Sequence, residues 1–461
     1  MAANAFDGFA FLRSNSGQHD TVPHGAIDTP EETAPMASLP FPTASETSGN
    51  SARGVAIACT VGNMLCLTTT VSSVFGVFLV PISEDFGWPR AHVTAVLAII
   101  SLVSIVAFPV VGRIIDVFGG RKVLLIGNVA FAASVALVSQ VQNSIFQFYI
   151  LYAMIGVAGA IPCTAMFSKV ISEWFDDRRG LMLGVSAGIG NGVGATIMPI
   201  VAASLLPAIG WKASYAVIGL IIFGIGFPTL FFLLKDAPRV GAPVSAGRVQ
   251  QAPATGSTLG EAVRSLPFWL IICSLGVGAG CLTAIFSHVI PVLTDRGIDL
   301  GLATIVMSVL ALTTAAWQVA VGSLLDRITS PRTAAPGFLV AAVGLWLLAN
   351  SMNTPILVVA GALLGIGLGT AFGALPYFIS RYFGLKSYGT IVGVIYAIVM
   401  AAQGATPYLM DLWFDAHASY AGSIVIIEVC LLVIGGLIMT FPPYTVKITA
   451  AELADLNHGG L

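Results

Sequence analysis

At 461 residues, 56% hydrophobic and 9% charged, with a mean hydropathy of +0.91, the chain carries too little charge for soluble domains. Its length alone would suggest roughly three of them, each needing about a quarter of its residues charged. The six cysteines (Cys59, Cys66, Cys163, Cys273, Cys281 and Cys430) lie in apolar runs without CxxC or Cys/His spacing, which excludes a disulfide scaffold and a zinc module. A net charge of −2 gives nucleic acid no footing. What remains is a polytopic protein whose main partner is the lipid bilayer.

About 20 mostly apolar residues carry a helix across a ~30 Å hydrocarbon layer. Before the first such stretch, residues 1–53 are rich in Pro, Ser, Thr and acid and lack a long apolar core, so they read as a disordered cytoplasmic tail rather than a signal peptide. Six spans follow, near 55–80, 92–112, 122–140, 145–169, 180–206 and 213–234, making an N-terminal half over 54–234. Residues 235–266 return to Pro, Ala, Gly and Ser and read as a cytoplasmic linker. Six more spans, near 267–291, 301–322, 333–350, 355–380, 388–412 and 419–441, make a second half over 267–442, with 443–461 as a short tail. None of these runs alternates polar and apolar as a barrel strand would. The fold expected is all-α, with twelve transmembrane helices.

Orientation follows the basic residues in short loops. With the N-terminus cytoplasmic, 17 of the 20 Lys and Arg fall inside, and only Arg90, Lys212 and Arg296 fall outside. Both termini are therefore expected on the cytoplasmic side. The halves also repeat each other. Pro81, Asp85, Gly87, Gly112 and Asp116 return as Pro291, Asp295, Gly297, Gly322 and Asp326, each 210 residues later. Two parallel six-helix repeats place a site at their interface near the bilayer midplane, and rocking of the halves gives alternating access.

The loop after span 2, Gly112-Arg-Ile-Ile-Asp116-Val-Phe-Gly119-Gly-Arg121-Lys122, resembles the signature loop of the major facilitator superfamily, and the resemblance extends over all twelve spans. Within it the chain looks like the monocarboxylate-porter branch. That likeness rests on Asp85-Phe-Gly-Trp88 with Arg90, on Pro291-Val-Leu-Thr-Asp295-Arg-Gly297, and on Tyr382-Phe-Gly384 followed by Tyr388-Gly-Thr390. The resemblance implies transport of small organic acids, often with a proton. In that branch an Arg commonly lies one turn before the glycine that opens the 8–9 loop. Here that position is Gln318, four residues before Gly322, and span 8 has no basic residue until Arg327. A carboxylate must meet another cation, or the substrate is neutral or bulky.

The polar residues divide into groups. Asp116 and Arg121 are expected to gate the inner face, Asp116 by facing the positive end of a neighbouring helix or an Arg. Asp326 and Arg327 are the corresponding pair of the second half, where the motif is degraded because Thr329 and Pro331 replace Gly119 and Arg121. Asn63, Asn191, Gln318 and Gln403 are polar amides deep in spans, where each needs a partner or water, so they are candidates to bind substrate. Tyr377 is an aromatic candidate. His288 could serve as an anion contact or a proton site, and Glu428 is the one plainly intramembrane acid, a second candidate for proton coupling. Lys169 and Arg381, closing spans 4 and 10, are expected to snorkel to the headgroups, with a cationic floor to the cavity as the alternative.

The function expected is secondary active transport of a small organic acid, monocarboxylate or aromatic, across the plasma membrane, with proton symport. Movement of a neutral or bulky amphipathic compound is the alternative, and a non-transporting membrane sensor is the reading from another class. No HExxH, DDxxD or GxxxxGK[ST] occurs, so neither an enzyme nor direct ATP drive is expected, and the proton gradient takes the place of a cofactor. No metal and no obligate protein partner is expected.

Overall fold

The computed structural model describes residues 44–176, 178–237 and 256–444. Most of the expected N-terminal tail, residues 238–255 of the linker and nearly all of the C-terminal tail lie outside that set. Among the described residues there is no β-strand, and eleven helical runs are long and apolar enough to cross a bilayer. The longest, Arg179–Leu233, has 55 residues and would be about 80 Å long at 1.5 Å per residue, more than twice a hydrocarbon layer. It is two helices. Gly210 breaks it at φ 75, ψ 166, a conformation that costs a residue with a side chain far more than glycine.

The twelve spans are therefore α1 (Ser51–Phe86), α2 (His92–Phe118), α3 (Gly120–Gln140), α4 (Ile145–Trp174), α5 (179–209) and α6 (211–233) in the first half. The second half holds α7 (Leu266–Asp295), α8 (Leu300–Arg327), α9 (Pro331–Asn350), α10 (Thr354–Phe383), α11 (Tyr388–His417) and α12 (Ala421–Met439). Helix begins as early as Ala44, inside the stretch read as tail, and α2, α8 and α11 each outrun the expected span by one turn or more. The end of the expected linker is also ordered. A short helix, Leu259–Val263, is closed by a capping box between Thr258 and Glu261. The Thr258 N–H holds the Glu261 carboxyl below the usual carboxylate range.

Lipid tails are as apolar as leucine, so helices here associate through close packing and polar contacts rather than by escape from water. Where that packing runs continuously defines the shape. One apolar core joins Val55, Phe108, Ile115, Met166 and Phe167 of the first half to nearly the whole second half. A second core, with Phe75, Phe78, Val96, Tyr152, Trp211 and Tyr215, contains first-half residues only. The halves thus share a core at one end and part toward the other.

Burial along α11 agrees. From Tyr388 to Val399 all but two residues are buried, whereas from Ala401 to His417 only Met410 is. On α5, only Met198 and Ala202 are buried between 195 and 209. The closed end is the one carrying the basic 2–3, 4–5, 8–9 and 10–11 loops; we call it the basic end, and the other the splayed end.

Candidate functional site

The closed basic end is held by two carboxylates, each reaching from one half to the first turn of a helix in the other. Asp116, at the end of α2, accepts hydrogen bonds from the Gly389 N–H (2.9 Å), the Thr390 N–H (2.7 Å) and the Thr390 hydroxyl (2.7 Å) at the start of α11. It is also paired with the Lys169 ammonium. Asp326, at the end of α8, accepts from the Gly180 and Leu181 N–H groups of α5, both at 2.8 Å. The first N–H groups of a helix have no partner within it and carry its positive dipole end, so an anion is the natural cap. Arg381 of α10 adds a cross-half contact, donating to the Asp176 carboxylate (3.1 Å) and carbonyl (3.0 Å), while Arg179 holds the same carboxylate at 2.8 Å.

Such caps require the helices nearly to touch. A Cβ on Gly112 would lie 2.0 Å from the Gly389 carbonyl oxygen, and one on Gly322 would lie 2.0 Å from that of Gly180. Both contacts are backbone against backbone, so no rotamer change could relieve them.

Toward the middle of the first half, two helices are interrupted at neighbouring places. The α-helical turns of α1 stop at Met64 and return through a π-turn at Thr68–Ser72; α4 breaks between Gly159 and Thr164, around Pro162. The breaks adjoin, since a Cβ on Gly159 would meet Leu67 at 3.1 Å. Beside them runs a chain of hydrogen bonds. The Asn63 side-chain amide donates to the Ser186 hydroxyl (2.9 Å), the Thr164 hydroxyl donates to the Asn63 side-chain oxygen Oδ1 (2.7 Å), and the Asn191 side-chain amide donates to the Thr164 hydroxyl (3.2 Å). The Cys66 thiol completes it, donating to Asn191 at 3.5 Å. Everything in it is uncharged. At membrane depth, irregular backbone is tolerated only where it is buried in protein or lines a cavity, and here its neighbouring polar side chains are hydrogen-bonded to one another.

Asn63 satisfies two partners at once, so Asn63→Ala orphans the buried Ser186 hydroxyl and leaves the half-buried Thr164 hydroxyl with Asn191 alone. A loss of about 1–3 kcal/mol in unfolding stability is expected, to be read from denaturation in detergent. An unchanged midpoint would mean that the network contributes nothing to the fold.

The remaining sequence candidates fall elsewhere. Gln318 is buried at the crossing of α8 with α5 and α10: a Cβ on Gly188 would touch its Cβ at 3.1 Å, and one on Gly184 its carbonyl oxygen at 2.3 Å. Its side-chain amide makes no hydrogen bond among the described residues. Gln403 and Glu428 are half-buried on α11 and α12 and likewise have no hydrogen bond or ion pair among the described residues. Tyr377 belongs to the basic end instead of the middle, its hydroxyl donating to the Leu325 carbonyl (2.9 Å) and its ring lying 5.4 Å from the Arg381 guanidinium.

Among the described residues, the Arg121 guanidinium bonds within its own half, donating to the Phe231 carbonyl (3.0 Å), while its backbone N–H donates to the Asp236 carboxylate (3.2 Å), and Arg327 is exposed without a partner. Thus the two arginines expected beside the gating aspartates do not cross between halves. Nor do Lys169 and Arg381 snorkel; each is 5% exposed and committed to an aspartate, because the packed halves enclose them. His288 is buried in α7, with Nδ1 2.8 Å from the Ala284 carbonyl and Nε2 2.8 Å from the Asp411 carboxylate on α11.

Sequence reasoning missed Ser186, Thr164, Cys66, Asp176 and Asp411. Pro162 beside Thr164 was the available signal for the α4 break. Nothing local distinguished the others from ordinary polar residues.

Two packed six-helix halves, capped reciprocally at one end and parted at the other, define a multi-pass membrane transporter. The family model of the Major Facilitator Superfamily matches residues 61–407, about three quarters of the sequence, and the chain belongs to that superfamily. It is 24% identical over 328 residues to the MFS-type transporter YhjX of Escherichia coli, covering 68% of this chain and 77% of that one. It is 22% identical over 369 residues to the 4-hydroxybenzoate transporter PcaK of Pseudomonas aeruginosa, covering 74% and 80%. Among solved structures, the E. coli fucose:proton symporter FucP superposes with a TM-score of 0.61 at 15% identity, over 85% of this chain and 98% of that one. At that identity the likeness speaks for the fold alone.

Proposed function

We propose that this transporter carries a small organic acid, aliphatic or aromatic, across the plasma membrane in symport with a proton. Both termini and the basic end are then cytoplasmic, and the state described here faces outward. The observation that carries the reading is the uncharged network of Asn63, Thr164, Asn191 and Ser186 at the adjoining breaks of α1 and α4, on the side of the reciprocal caps away from the basic loops. Amides and hydroxyls of this kind bind a carboxylic acid through hydrogen bonds to both of its oxygens. Transport is then electroneutral, because one proton crosses with each carboxylate. The named substrate of the PcaK relative, 4-hydroxybenzoate, supports the substrate class.

A second reading keeps the same machinery and changes the cargo. Gln318 stands where the monocarboxylate branch commonly has Arg, and no Lys or Arg occurs between 180 and 209 on α5 or between 300 and 326 on α8. That favours a neutral or amphipathic solute.

Proteoliposomes with an internal pH dye separate the two. Protein-dependent acidification by benzoate, 4-hydroxybenzoate or lactate, absent with the corresponding amides, is the expected result. Exchange of a labelled amide without any acid-driven proton flux would replace the first reading with the second.

A further inference from the structure

We propose that His288 and Asp411 form the proton-binding site of this transporter, and that loading it with one proton licenses closure of the splayed end. This rests on the symport reading above and on the geometry of one imidazole. Both ring nitrogens face oxygen acceptors at 2.8 Å: Nδ1 the Ala284 carbonyl, Nε2 the Asp411 carboxylate. A carbonyl can only accept, so Nδ1 carries a hydrogen. The second contact then needs a hydrogen of its own. An ionised carboxylate against the bare lone pair of Nε2 would set two acceptors together, so a proton lies between them, on the imidazole or on the carboxyl. Relative to neutral His and ionised Asp, the pair holds one extra proton.

The two groups are differently placed. The His288 side chain is 8% exposed and that of Asp411 is 57% exposed, so the carboxylate is the open side of the pair, where a proton can enter, and the ring is the enclosed side. The surroundings are acidic. Asp295 and Arg296 end α7 itself, α11 brings Asp415 and His417 with Asp411, and α12 brings Glu428 and, just before its start, Tyr420, whose ring meets that of His288 edge-on at 5.6 Å. α8 contributes Asp299, already accepting from the Gly301 and Leu302 N–H groups, and the facing half of α10 has no charged residue. Arg296 is turned away, donating to the Leu348 and Ser351 carbonyls, and the His417 ring stacks on Trp413.

Closure of the splayed end strips water from this cluster. Without the extra proton, the pair would enter the closed state with a net negative charge among other carboxylates. With it, the pair is neutral overall and internally hydrogen-bonded. The proton is therefore needed for the outward-facing state to close. No bond other than that to the proton forms or breaks, and the proton leaves to water after the opposite end opens.

Two measurements test this without a known substrate. The first is nitrogen NMR of histidine-labelled protein in lipid, with the His288 signals assigned by their loss in His288→Gln. At fixed pH, Asp411→Asn is expected to move the Nε2 signal, which faces the lost carboxylate, while Nδ1 stays hydrogen-bonded to the Ala284 carbonyl; an unmoved Nε2 signal would overturn the shared proton. The second is the distance between spin labels on the α1–α2 and α7–α8 loops. It is expected to shorten on acidification in the wild type and to be short at every pH in Asp411→Asn. In His288→Gln it should stay long until more acid pH. A wild-type distance indifferent to pH, or a wild-type response retained by Asp411→Asn, would overturn the licensing role. If the distance follows pH as expected while no carboxylate drives acidification, the organic-acid reading fails and the proton site stands.

Discussion

Gly322→Val is expected to hold the basic end apart and to abolish most transport. The Cβ it introduces would lie 2.0 Å from the Gly180 carbonyl oxygen and 2.6 Å from its carbon, so α8 and α5 must separate before the two Asp326 caps can form. Overpacking of this kind costs about 1–3 kcal/mol and more where backbone must move. Spread over a two-state equilibrium, that is a shift of roughly 5–150-fold toward the state open at the basic end. Spin labels on the α2–α3 and α8–α9 loops would report it as a longer distance. Gly436→Val on α12, where an added Cβ meets nothing within 4 Å, is the control expected to behave as wild type. A short distance in Gly322→Val would show that α5 and α8 need not touch for the end to close.

The second large effect is expected of Asp116→Asn. The carboxylate has four donors, one of them the Lys169 ammonium, whose side chain is only 6% exposed. Removing the charge leaves that ammonium buried, with Glu173 at 3.5 Å as its remaining partner. Breaking one side of a buried pair costs about 3–5 kcal/mol, and Glu173 brings the expectation toward the lower figure. Asp326→Asn removes charge from two backbone caps and orphans no lysine paired with it, so its effect should be smaller. Adding Lys169→Met to Asp116→Asn should restore much of the loss, since the unpaired charge is then gone. The closed population, measured with the same label pair, decides the matter through a double-mutant cycle. Strict additivity would mean that Lys169 and Asp116 do not act as a unit.

The global architecture was legible in the sequence because bilayer thickness and basic-loop bias act on composition alone. Twelve spans, two repeats and the positions of Asp116 and Asp326 follow from local runs and a constant offset. The partners of those residues did not. Asp116 bonds Gly389 and Thr390, some 273 residues away, and a lysine two helices further along; no local pattern encodes which helix start will face it. Asn63 and Asn191 stand out in the sequence by polarity and depth, yet Thr164 and Ser186, which bond to them, look like ordinary helix hydroxyls. Asp411 was hidden for another reason. It lies near the end of α11, where an acid reads as a wetted helix terminus until His288 is seen against it.

Helix α5 carries the gate and the polar network on one rod. Its first N–H groups cap Asp326, Ser186 bonds Asn63, and Asn191 bonds Thr164 about 16 Å beyond Gly180 at 1.5 Å per residue. Between the first and last of these the helix widens into a π-turn at Val185–Ile189, which holds one residue more than an α-turn. Each residue of an α-helix is worth about 100° of rotation. Migration of that extra residue along the rod would therefore twist the gate end relative to Asn191 without lengthening or melting the helix. In mechanical terms α5 is a torsion shaft with built-in slack, able to pass a quarter-turn between its capped end and the Asn63–Asn191 network.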